Sequence, residues 1–97
     1  MASSVIKKDI SKFQYPDIRV SSDGTQKTVS IGAWQAYFGI FHHPYNSIGG
    51  VLTVNCGSSG GYVWSSLDNV TASINSNCEM VITMPNILYL DLYHIQS

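Results

Sequence analysis

The chain has 97 residues, enough for one domain, with 44% hydrophobic residues but only 11% charged ones, where about a quarter is usual. Its cations are Lys7, Lys8, Lys12, Arg19 and Lys27, so residues 28–97 hold no Lys or Arg against three acids, Asp68, Glu79 and Asp91. Such a body releases no counterions from phosphate, which argues against nucleic acid and anionic lipid, and without a run of ~18 apolar residues no membrane insertion is expected.

From the amino end, residues 1–14 read as an arm. Val5, Ile6, Ile10 and Phe13 share a face if a Ser3 or Ser4 cap starts a helix there. The same residues suit an extended arm, and Pro16 ends either. Residues 15–97 make up the domain itself. The opening residues lack the apolar core of a secretory signal, so the chain either leaves its cell without one or is an excised piece of something longer.

Beyond Pro16 the dominant pattern has period two, the mark of half-buried strands. Residues 17–20 and 28–31 flank a turn centred on Asp23-Gly24. Residues 32–41 are an aromatic run that places Trp34, Ala36 and Phe38 on one strand face and Gln35, Tyr37 and Gly39 on the other. Residues 42–50 form the longest loop. Strands follow at 51–56 and 62–67, separated by the glycine-rich residues 57–61. Val70, Ala72 and Ile74 alternate with polar residues, and Cys78, Met80, Ile82 and Met84 share one face opposite Glu79, Val81 and Thr83. Asn75-Ser76-Asn77 between them reads as a hairpin turn, because Asn tolerates left-handed backbone. The last run, 87–95, points Leu88, Leu90 and Leu92 inward and Tyr89, Asp91 and Tyr93 outward. Seven to eight short strands and no convincing helix predict an all-β fold, an antiparallel β-sandwich or a jelly-roll-like barrel.

Catalytic and metal motifs are missing from the pattern. Cys56 and Cys78 are 22 residues apart, and neither they nor His42, His43 and His94 show the close pairs of a zinc site. One histidine from each subunit of a trimer remains an open arrangement. No Gly-x-Ser-x-Gly elbow is present, no cation beyond Lys27 stands ready to activate Cys56, and residues 57–61 lack the lysine of a phosphate loop. Neither enzymatic activity nor a cofactor is expected. The two cysteines fit a disulfide and a pair of buried thiols equally well.

Aromatic residues carry the functional expectation. Tyr62 and Trp64 share a strand face beside the glycine-rich loop, with Asp68 just beyond, while His42, His43 and Tyr45 lie in the long loop. Ring faces pack against the C–H surface of a sugar, and short polar side chains bond its hydroxyls. These six residues form the candidate glycan site, in loops at one end of the sandwich, where β-scaffolds display function. The same aromatics also suit a core or a subunit interface.

Taken together, GAWQAYFGIFHHPYNSIGG, VLTVNCGSSGGYVW and NILYLDLYHIQS resemble the carboxy-terminal head domain of a bacteriophage receptor-binding protein or tail fibre. The resemblance is one of style, in low charge, abundant Ser, Thr, Asn and Gly, and scattered aromatics, and it transfers no individual residue. It implies a homotrimer of β-sandwich heads at the phage tail tip, outside the cell, joined to a shaft through residues 1–14 and binding a bacterial surface saccharide. A structural subunit of the virion or tail, and a secreted carbohydrate-binding module, are the alternatives.

Overall fold

Alternation leaves each strand two faces, and the position of the strand in its sheet decides what covers them. The computed structural model describes residues 15–95, among which every regular element is a strand. The elements are β1 (Ile18–Ser21), β2 (Gln26–Ser30), β3 (Ala36–His42), β4 (Ser47–Gly57), β5 (Gly60–Ser65), β6 (Thr71–Ile74), β7 (Glu79–Thr83) and β8 (Tyr89–Ile95). They form two antiparallel sheets, ordered β1-β8-β3-β4-β5 and β2-β7-β6. The fold is the all-β sandwich expected, with eight strands. The arm expected at residues 1–14 lies outside the described residues.

The core lies between the sheets. Leu52, Leu90, Leu92, Phe41 and Val54 fill it from the larger sheet, and Met80, Ile82 and Val29 from the smaller. Each such side chain contributes roughly 1.5–3 kcal/mol on leaving water. Gly39 sits among three leucines, and a Cβ there would stand 2.6 Å from Leu90 Cδ1. The leucines occupy the space its side chain leaves. A disulfide joins Cys56, near the end of β4, to Cys78, just before β7, and so ties one sheet to the other. The cysteines are therefore bridged.

The structure refines four local readings. The Asp23-Gly24 turn forms, with Asp23 accepting from the Thr25 N–H and hydroxyl, but it does not make a hairpin. β1 pairs with β8 and β2 with β7, so the turn carries the chain from one sheet to the other. Trp34 lies before β3, not in it. Gly32 and Trp34 both take left-handed backbone (φ 94° and 66°), and the Trp34 N–H donates to the Cys56 carbonyl. The long loop shrinks to residues 43–46 because pairing with β3 resumes at Ser47, with a register shift between Phe41 and His42.

Finally, Asp91 and Tyr93 do stand on the outer face of β8, yet they are 5% and 7% exposed. β8 is an interior strand of its sheet, and the side chains of β1 and β3 on either side shield that face.

Candidate functional site

Register divides the candidate residues. In an antiparallel sheet, paired residues share a face. One row on the outer face of the larger sheet therefore reads Tyr93, Phe38, Thr53, Trp64, and the next reads Ile95, Ala36, Asn55, Tyr62. Tyr62 and Trp64 are 56% and 49% exposed, about 6–7 Å apart along β5, the edge strand. They are strand residues on the flank of the sandwich, not loop residues at its end. Thr53 and Asn55 stand directly across from them on β4 and supply a hydroxyl and an amide.

The other four gather at the far end of the strands. Asp68 lies between β5 and β6, and His43 and Tyr45 lie between β3 and β4, all exposed. Tyr45 is 95% exposed. From Trp64, His42 is four residues along β3 and two strands across, about 16 Å by ordinary strand spacings. The structure thus separates an aromatic strip, Tyr62–Trp64, from a polar end.

His42 belongs to a charge cluster on the same outer face. Arg19 grips the Asp91 carboxylate with two bonds, Nε to Oδ1 at 2.7 Å and a terminal nitrogen to Oδ2 at 2.9 Å. His42 Nε2 lies 2.9 Å from Asp91 Oδ2, and its Nδ1 lies 2.8 Å from the His43 carbonyl. Both partners are oxygen acceptors, one on each side of the ring. Burial pushes the Asp91 carboxyl up. The Arg19 hydrogen bonds and the charges of His42 and Arg19 outweigh it, leaving the group below the usual carboxylate range. Burial and the neighbouring Asp91 charge push the Tyr93 hydroxyl up. The Arg19 guanidinium also lies over the Tyr89 ring, 5.4 Å from its centroid. This cluster orders the middle of the sheet, and the His42 ring is committed to it.

Sequence reasoning missed Trp34 as a surface aromatic. It is 72% exposed and anchored to Cys56, the neighbour in β4 of Asn55, which pairs with Tyr62. Gly32, two residues earlier, was the available signal that the strand starts later than the aromatic run. Among the described residues no group of three or more His, Cys, Asp or Glu gathers to hold a metal ion. No family model, no curated protein and no solved structure matches the chain.

Proposed function

We propose that this chain is a non-enzymatic adhesion module, the head of a bacteriophage receptor-binding protein, that recognises a bacterial surface saccharide as a homotrimer. The observation that carries the reading is the Tyr62–Trp64 pair. Two large rings stand half in water on one strand face, with Thr53 and Asn55 across from them. Leaving that much ring surface exposed gives up burial energy, and a sugar face restores it while hydroxyl and amide bond its rim. Trp34 adds a third exposed ring near the same end of β4. Tail-tip location and trimeric assembly rest on the sequence resemblance.

The test is adsorption of the purified protein to host cells and to isolated cell-surface polysaccharide. Trp64→Ala and Tyr62→Ala should each weaken binding by about tenfold or more, as anchor aromatics do. Wild-type adsorption by both variants would move the site elsewhere.

A second reading is favoured by the same strip lying on an edge strand, where a neighbouring subunit docks most simply. In that case the chain is a structural tail subunit. Light scattering on the eluted protein, paired with the polysaccharide assay, separates the two. A trimer whose assembly fails in Trp64→Ala and which binds no saccharide supports the structural role, while a monomer that binds saccharide points to a secreted carbohydrate-binding module.

A further inference from the structure

The two sheets meet unevenly. On one flank β5 and β6 lie against each other, with Ile74 filling the space above Gly61. On the opposite flank, among the described residues, β1 and β2 are both sheet edges and do not pair with each other. An open groove of about 510 Å³ lies between them, lined by all of β1 and by residues 27–30 of β2. Edge strands turn half of their N–H and C=O groups away from their own sheet, ready for another strand. Five strands face three, so one more strand beside β2 would extend the smaller sheet beneath β1 and cover Ile18, which is only partly buried.

The side chains state what that strand must carry. Lys27 and Val29 pair with the buried Ile82 and Met80, so both face the interior side of β2, two residues apart. Arg19 and Lys27 are the two Lys or Arg residues among those described, and both line the groove. Arg19 is taken by Asp91. Among the described residues Lys27 pairs with the exposed Asp23, at 3.4 Å, a contact of little worth that a better-placed carboxylate displaces.

We propose that the groove accepts an extended peptide of a partner protein. The peptide adds to β2 as a strand, placing an apolar side chain against Val29 and a carboxylate two residues away against Lys27. Charge selects this occupant over the two nearer at hand. Residues 1–14 carry three lysines and one acid, Asp9, a sequence poor in the carboxylate that Lys27 calls for. A second copy offers only its own edges, and β1, β2, β5 and β6 contain no Asp or Glu.

A fluorescent heptapeptide of threonines, with Val third and Glu fifth, is titrated into the full chain beside its counterpart with Lys fifth. The Glu peptide should bind at least about tenfold more tightly, and Lys27→Glu should reverse the order while thermal unfolding shows the variant folded. Binding should also slow amide exchange in β2. Equal affinities, absence of binding, an order that Lys27→Glu leaves unreversed, or protection confined to other strands overturns the proposal. So does tighter binding by a synthetic peptide of residues 1–14, or self-association that the Glu peptide fails to compete.

Discussion

Ile87 is the residue whose backbone fits its side chain worst. It is β-branched, 57% exposed, and held at φ 69°, where its Cβ crowds the backbone. The turn imposes this, since the Ile87 N–H donates to the Ser22 carbonyl. Ile87→Gly should raise stability by about 1 kcal/mol, read as a higher denaturant midpoint with unchanged slope. Asp91 works the other way. Arg19→Met leaves its carboxylate buried with His42 alone and should cost about 2 kcal/mol. Because the folded-state value of Asp91 is depressed, its contribution is fully present above the unfolded value of about 4 and is lost as pH falls through the folded one. Asp91→Asn should therefore flatten the loss of stability below pH ~4. Asp23, lowered to about 2 chiefly by the Thr25 hydroxyl, acts in the same direction and leaves part of that slope in place.

Strands were legible wherever apolar and polar residues alternate cleanly. Met80 and Ile82 point inward as read, because a slip of one residue would expose both. Trp34 misled because an aromatic run looks extended until the chain must reverse, and the reversal depends on a bond to Cys56, 22 residues further on. Asp91 and Tyr93 misled because alternation reports which face a residue takes, whereas burial depends on which strands lie alongside. The disulfide was undecided for the same reason, since spacing in sequence says nothing of a contact between sheets. That bridge closes a loop of 22 residues, and replacing both Cys56 and Cys78 with Ser should cost roughly 3 kcal/mol, measured as a lower midpoint of thermal unfolding. Gly39→Ala should cost about 1–3 kcal/mol, as the new methyl drives Leu90 from its place between the sheets.

The molecule as a whole carries few ions, and among the described residues both cations, Arg19 and Lys27, are in ion pairs, which bears on how it meets a ligand. A neutral saccharide on Tyr62 and Trp64 should bind with affinity that changes less than about twofold between low and high salt, whereas the peptide at Lys27 should weaken. Two salt titrations on one preparation check both. The sandwich was legible from composition and period. Strand order was not, because the partner of β1 lies at the other end of the chain. Arg19 and Asp91 are 72 residues apart. A ribosome adding about 5–20 residues per second makes β1 wait roughly 4 to 14 seconds for β8. During that interval β3, β4 and β5 are free to zip into a meander whose open flank, later sealed by β8, is exposed to other nascent chains, so slower synthesis should lower the yield of native protein.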